Sequence, residues 1–268
     1  MTGTTDDYVH EAEIYDVLWA DLNSFDLPFL LSMAAEFGGP LLEIGCGTGR
    51  VLLPCMEHVD RAVGVDRSPS MLEQGRANLS ASGVPEERVR LVEADLRSFD
   101  LGERFNLVLA GGQTMFHLET DDDWLAALAA IRDHLRPGGR FVAGVPVFQE
   151  ADFRDYHKKH LFVDEIRHPR TGRRIALWDY STFDFEKQSI TRRRVSEVLD
   201  EQGLVIERRH DIRKNIYRFP PQMRKLLEQA GFRIEAEYGD YDRGPYTEES
   251  EDFVWVATVE GQREDQPC

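Results

Sequence analysis

The ten residues Leu41-Leu42-Glu43-Ile44-Gly45-Cys46-Gly47-Thr48-Gly49-Arg50 restrict the fold of this chain more than any other stretch. An apolar run ends in three glycines at alternate positions, and a helical pattern from Val51 to Met56 follows. That order reads as a buried parallel strand, a tight turn and a helix. Glycine suits the turn in two ways: it accepts positive φ, and without a side chain it lets a ligand lie against the backbone. The helix N-terminus adds unpaired N–H groups that favour a negatively charged ligand group. The spacing departs from the dinucleotide fingerprint G-x-G-x-x-G, whose third glycine lies inside the helix. Here it is Glu43-x-Gly45-x-Gly47-x-Gly49, with a carboxylate two residues before the first glycine.

The flanking chain alternates strand and helix patterns. Leu27 to Phe37 is a periodic helix opening near Pro28 and ending at Gly38-Gly39. Arg61 to Asp66 is a second short apolar strand ending in a carboxylate placed to accept hydrogen bonds from both ribose hydroxyls of a nucleoside. Ser68 is the expected N-cap of the next helix, with Pro69 at its first position and Met71 facing inward. Val89 to Leu96 and Phe105 to Ala110 are the third and fourth strands. Thr120 and Asp121 to Asp123 cap a helix running to Leu135, and Arg136-Pro137-Gly138-Gly139 ends it before a fifth strand, Arg140 to Val145.

This ordered series, over residues 8–146, resembles motif I and its successors in class I S-adenosylmethionine (SAM) methyltransferases. The resemblance implies a cofactor cradle of Glu43, Gly45, Cys46 and Gly47, with Asp66 at the ribose, Arg67 beside it at the cofactor, Met71 against the adenine, and Gly111 opening the loop that faces the transferred methyl. Asp95 resembles the acid that accepts from the adenine amine, and the Leu96 N–H would donate to the ring. Residues 6–20 resemble the helical N-terminal arm of the glycine and macrolide sugar-amine N-methyltransferases, which folds over the methyl donor. Tyr8 is then expected at the substrate, and Tyr15 at the cofactor and the reacting atoms. The loop Gly111 to Leu118 lacks the Asn-Pro-Pro-Tyr motif of many DNA and protein methyltransferases, which argues against methylation of a base or of glutamine. Gln113, Thr114 and His117 can hydrogen-bond an acceptor, and His117, with an ordinary pKa near 6.5, is the expected base.

From about 150 to 218 the chain leaves the alternating pattern. Ile175–Phe185, Ile190–Leu199 and Leu204–Tyr217 read as three antiparallel strands, similar to the lid of the same N-methyltransferases. Trp178, Tyr180 and Tyr217 are the expected pocket formers. Arg192, Arg193, Arg194, Arg208, Arg209 and Arg213 are expected to coat a solvated face rather than line the approach of an anionic substrate. A helix from Phe219-Pro220-Pro221 to Ala230-Gly231, then strands Phe232–Tyr238 and Asp252–Val259, complete the sheet, the last antiparallel at its edge; Gly239 to Glu251 would rim the pocket.

The expected fold is therefore α/β: a doubly wound, Rossmann-like seven-stranded sheet with a small antiparallel β-meander lid inserted after strand five. The expected divisions are an arm (1–39), a SAM-binding core (40–148), the insertion (149–218), the core's completion (219–260) and a disordered tail (261–268).

Charge and cysteine content narrow the function. The net charge is −17, the wrong sign for a general nucleic-acid binder, although residues 154–225 carry 18 Lys/Arg against 11 Asp/Glu. Cys46, Cys55 and Cys268 show no metal spacing and no even framework, so no metal site is expected and a reducing cytoplasm fits. No apolar run approaches the roughly 20 residues that span a bilayer, and the acidic N-terminus is no signal peptide. The expectation is a methyltransferase acting on an amine or hydroxyl of a small molecule, without nucleic acid or membrane, and a homodimer through the free edge of the inserted sheet. A protein or RNA methyltransferase, a nicotinamide oxidoreductase on a related fold and a non-catalytic SAM-binding protein stay open. Glycine spacing and Asp95 oppose the oxidoreductase.

Overall fold

A computed structural model describes residues 6–20, 25–149, 153–154 and 156–259, so the expected tail lies outside the described residues. The central sheet has seven strands: β1 (Leu41–Ile44), β2 (Ala62–Asp66), β3 (Val89–Glu93), β4 (Phe105–Ala110), β5 (Leu135–Pro146), β10 (Phe232–Tyr238) and β11 (Asp252–Val259). Their spatial order is β10-β11-β5-β4-β1-β2-β3. Strands β1 to β5 are parallel, while β11 is antiparallel to both β5 and β10. The order reverses between β1 and β4, and in such sheets ligands bind at that reversal, beyond the carboxyl ends of the strands.

Side chains along the parallel strands alternate between two covered faces and give two cores. On one face Leu42, Ile44, Val63 and Val108 meet Trp124, Leu128 and Ile131 of α5 (Asp121–Asp133) and Met223 and Leu227 of α6 (Pro220–Gln229). On the other, Leu41, Ala62, Leu107 and Leu109 meet Phe29, Leu30 and Met33 of α2 (Leu27–Phe37) and Leu52 and Cys55 of α3 (Leu52–Cys55). Helix α4 (Pro69–Ser82) starts as its residues dictate, the Ser68 hydroxyl accepting from the Met71 N–H at 3.2 Å. Thr120 and Asp123 form a reciprocal cap on α5. Among the described residues no helix is long and apolar enough to cross a membrane.

Three details differ from the sequence expectation. Strand β11 is not at the edge: it lies between β5 and β10. Seven of its eight residues are buried, because apolar side chains on both faces suit an interior strand, whereas β10 alternates with charged residues and forms the edge. The lid has four strands, not three: β6 (His160–Arg167), β7 (Arg174–Asp184), β8 (Ser189–Leu199) and β9 (Val205–Ile216), in that order. Strand β6 is charged and largely exposed, which hid its pattern. The arm is only partly helical, with a single turn α1 (Tyr15–Leu18) after a short 3-10 stretch. It lies between the two sheets. Ile14 and Leu18 pack on Ile166, Ile175, Leu177 and Val198 of the lid. The Thr48 hydroxyl donates to Asp16 at 2.6 Å, and Asn78 donates to the other Asp16 oxygen at 2.7 Å.

Candidate active site

The glycine turn leaves β1 at its carboxyl end. Gly45 has φ +64° and Gly47 has φ +51°, and a Cβ on Gly45 would fall 2.4 Å from the Thr114 hydroxyl. On Gly47 it would fall 2.8 Å from the Met71 methyl. Gly45 therefore needs glycine for conformation and for space, and Gly47 for conformation, since the Met71 methyl at the end of its flexible side chain can shift. Asp66, at the end of β2, accepts the Gly47 N–H at 2.8 Å and the Ser68 N–H at 2.9 Å, one on each oxygen. A carboxylate oxygen accepts more than once, so capacity remains for a diol. Burial raises the Asp66 pKa despite these bonds. Glu43 is buried on β1, its Oε2 has no hydrogen-bond partner among the described residues, and desolvation pushes its pKa up to about 8. An orphaned buried carboxyl beside a glycine cradle fits a ligand that brings a cationic donor.

These groups line a cavity of about 500 Å3, within the range for small-ligand sites. Of the sequence-predicted residues it brings together Tyr8, Tyr15, Glu43, Gly45, Cys46, Gly47, Asp66, Arg67, Met71, Leu96, Gly111, Gln113, Thr114 and His117. Four are not brought to it. Asp95 is turned onto Arg97, accepting its backbone N–H at 2.9 Å and its Nε at 2.8 Å, and this holds its carboxyl below the ordinary range. Trp178 donates from Nε1 to Glu197 at 3.0 Å and packs on Phe162. Tyr180 packs on His160, and Tyr217 is buried in the core against Phe148. The error for Trp178 and Tyr180 is one of parity: alternate residues of a strand face opposite sides. The cavity side of the lid holds Asp179, Arg192, Arg194 and Arg213, while Trp178 and Tyr180 occupy the other side.

The expected solvated arginine face is thus corrected in half its members. Arg194 and Arg213 are 1% and 3% exposed, and Arg192 lines the cavity, whereas Arg193 and Arg208 face outward. Glu11, on the arm, is the reason: it is buried against Arg213 and lies 3.9 Å from Arg194, and the Trp19 indole donates to it at 3.4 Å. Sequence patterning missed Glu11, and also Arg50 and Asp26, a buried bidentate pair at 2.7 Å on the cavity wall. Strand alternation, applied from Leu177 rather than Trp178, would have put the arginines inside.

The Tyr8 hydroxyl and His117 Nε2 are 3.1 Å apart. Burial, reinforced by Arg67, Arg213 and Arg192, pushes the His117 pKa down to about 4, so the ring is neutral at physiological pH. Burial also raises the Tyr8 pKa, so the phenol keeps its proton, and the His117 tautomer sets which of the two groups donates.

A Rossmann-like sheet whose first turn is a glycine cradle, beside a carboxylate with capacity to spare for a diol, fits a nucleoside cofactor. Residues 41–139 match the methyltransferase domain family. The chain is 26% identical over 243 residues to the dTDP-3-amino-3,4,6-trideoxy-alpha-D-glucopyranose N,N-dimethyltransferase of Streptomyces venezuelae, covering 88% of this chain and 96% of that one. Its fold matches a SAM-dependent methyltransferase of Clostridium acetobutylicum (TM-score 0.78, 18% identity, 93% and 98% of the two chains). It also matches a SAM-bound amino pentose methyltransferase of Micromonospora echinaspora involved in calicheamicin biosynthesis (TM-score 0.67, 23% identity, 91% and 96%). The chain therefore carries a methyltransferase domain over residues 41–139, on a fold similar to that of SAM-dependent methyltransferases.

Proposed function

We propose that this enzyme methylates an amine of a small molecule, with Glu43, Gly45, Gly47, Asp66, Met71 and Leu96 holding SAM. When bound, SAM supplies a methyl group on a sulfonium for in-line displacement. The chain's own contribution is to orient the acceptor and keep water out, and such orientation contributes up to ~7–11 kcal/mol. The observation that carries the amine is the Tyr8–His117 pair. A histidine held at about 4 is too weak a base to deprotonate a hydroxyl at neutral pH. An amine needs no base, provided it arrives unprotonated, and the cations Arg67, Arg192 and Arg213 around the ring favour its neutral form. His117 then positions the amine through a hydrogen bond, with Gln113 and Thr114 on the same loop. A cavity of this size under a docked arm suits a small acceptor better than a protein or RNA, and the similarity to an aminosugar N,N-dimethyltransferase points the same way.

The test is transfer of labelled methyl from SAM to a panel of aminosugars and to their hydroxyl analogues. N-methylated product is expected. Label recovered only on oxygen, or no affinity for S-adenosylhomocysteine (SAH), overturns the reading. Two narrower proposals accompany it. The free cysteines Cys46 and Cys55 are buried and fit a reducing cytoplasm. The free edge of β9, with Val205, Ile206 and Ile212 exposed, would pair two copies, so light scattering should return the mass of a dimer.

A further inference from the structure

The cavity has two poles of opposite sign. The charges around His117 are those of Arg67, Arg213 and Arg192. Those around Asp252 are Glu251, Asp240 and Asp26. Asp252 opens β11 opposite Pro146, the last residue of β5, and both line the cavity. It is 6% exposed, and among the described residues its carboxylate has no hydrogen-bond partner and no ion pair. The cations on this side are engaged elsewhere. Arg50, which also lines the cavity, is held by Asp26 at 2.7 Å, and Arg243, two residues beyond Tyr241, by Glu36 at 3.2 Å. Burial, then the three neighbouring carboxylates, push the Asp252 carboxyl up to about 6, so it is still largely ionised at neutral pH. An ionised carboxylate withdrawn from bulk water without a counter-charge is costly, and this one faces the ligand space.

Two aromatic rings line the same cavity. Tyr241 meets the half-exposed Phe25 edge-on, with centroids 5.1 Å apart. Burial, then the Asp26 and Asp252 charges, raise the Tyr241 pKa, so its phenol stays protonated. Tyr241 and Glu251 belong to the polar segment 239–251, which thus does rim the pocket. Carboxylates beside aromatic faces are the chemistry that holds an organic ammonium. Among the described residues no three His, Cys, Asp or Glu side chains gather as a metal site, so an organic cation fits better than a metal ion. The cofactor's own ammonium has the orphaned Glu43 on β1, three strands from β11 and so roughly 14 Å away.

We propose that Asp252, with Glu251 and the Tyr241 and Phe25 rings, is a cation subsite for the acceptor, so that the molecule whose amine is methylated carries a second, positively charged nitrogen held there. This rests on the amine reading above and adds a second nitrogen to it. One nitrogen is kept neutral and reactive beside His117, among the arginines. The other is kept charged beside Asp252. The opposed poles orient the acceptor along the cavity and choose which nitrogen meets the methyl.

Choline and its neutral isostere 3,3-dimethyl-1-butanol are titrated calorimetrically into the protein, with and without SAH. Choline can gain no further methyl on nitrogen, so it reads the subsite apart from the reaction. The wild type is expected to bind choline at least about tenfold more tightly than the isostere, as a desolvated cation–ring contact beside a carboxylate implies. The SAH-loaded wild type should likewise bind 2,6-diamino-2,6-dideoxy-D-glucose at least about tenfold more tightly than D-glucosamine. Asp252→Asn should erase both preferences, and Asp252→Glu should retain part of them. Asp252→Asn removes a buried charge without a partner, so its Tm should be unchanged or higher. Equal affinities within either pair overturn the subsite, as does a preference that survives in Asp252→Asn. A tenfold loss of SAH affinity in Asp252→Asn overturns it too, because Asp252 would then hold the cofactor's ammonium. Failure of the wild type to bind SAH would instead remove the methyl-transfer reading beneath it, while the choline pair still decides the subsite on the unloaded protein.

Discussion

The two halves of the cavity are made in different ways. The cradle half is local: Glu43, Gly45, Gly47 and Asp66 lie within 24 residues, and backbone conformation does most of the shaping. The lid half is assembled from partners far apart in the chain, such as Glu11 with Arg213, separated by 202 residues, and Tyr8 with His117, separated by 109. A site made of backbone is intolerant of added atoms. A site made of long-range ion pairs is intolerant of lost charge, since breaking a buried pair strands the remaining partner. Substitutions in the two halves should therefore fail differently.

The largest effect is expected in the cradle. Gly45→Val places a side chain on Thr114 and forces a β-branched residue into positive φ, so SAH affinity should fall at least about a thousandfold, roughly 4 kcal/mol. Calorimetry that finds SAH binding intact would show the cradle to be softer than the comparison holds. Next comes Glu11→Gln, which uncovers Arg213 and Arg194 together. About 3 kcal/mol of arm docking should be lost, read as faster amide exchange over residues 6–20, while SAH affinity drops far less. Equal losses of arm protection and SAH affinity would erase the distinction between the halves.

Glu43 gives a smaller effect, with a definite sign. Its pKa is raised from 4.5 to about 8 by burial, so between those values the folded state holds a proton that the unfolded state has released. Stability of the SAH-free protein should therefore decline as pH rises from about 4.5 to 8 and be lowest above 8. The full shift is reduced by relaxation and water entry, leaving roughly 2 kcal/mol. Glu43→Gln should flatten that slope in thermal melts, and an unchanged slope would assign it to other carboxyls. The smallest effect belongs to His117→Asn, which keeps a hydrogen-bonding side chain. About a tenfold or smaller fall in kcat is expected. The wild-type kcat/KM profile should show no inflection near 6.5, because the ring loses its proton only near 4. A wild-type inflection near 6.5 that disappears in the variant would restore the histidine as a base.

The same contrast explains what could be read from the residues alone. The glycines, Asp66, Ser68 and Met71 could be placed because each acts through spacing along one strand–turn–helix unit. The core strands were legible because their apolar runs are long and their breaks are marked by Gly and Pro. Trp178 and Tyr180 were misplaced because parity in the lid depends on what covers each face, and the covering element, the arm, lies over 150 residues away. Asp95 does not line the cavity, because Arg97, two residues on, holds its carboxylate, and nothing in the spacing marks that contact. Nothing in the spacing of Glu11 marks it as the counter-charge of Arg213. Only the three-dimensional meeting of arm and lid does.

The interior position of β11 bears on the order in which the molecule can be completed. Strand β5 has β4 on one side from the outset, but its other edge stays open until residues 252–259 arrive to pair with it. During synthesis that open edge is an apolar row of unpaired amides and carbonyls, the kind that recruits strands from other chains. Strand β11 thus acts as a closing seal: every nascent molecule must wait for the ribosome to deliver residues 252–259 before its largest sheet is safe from neighbours.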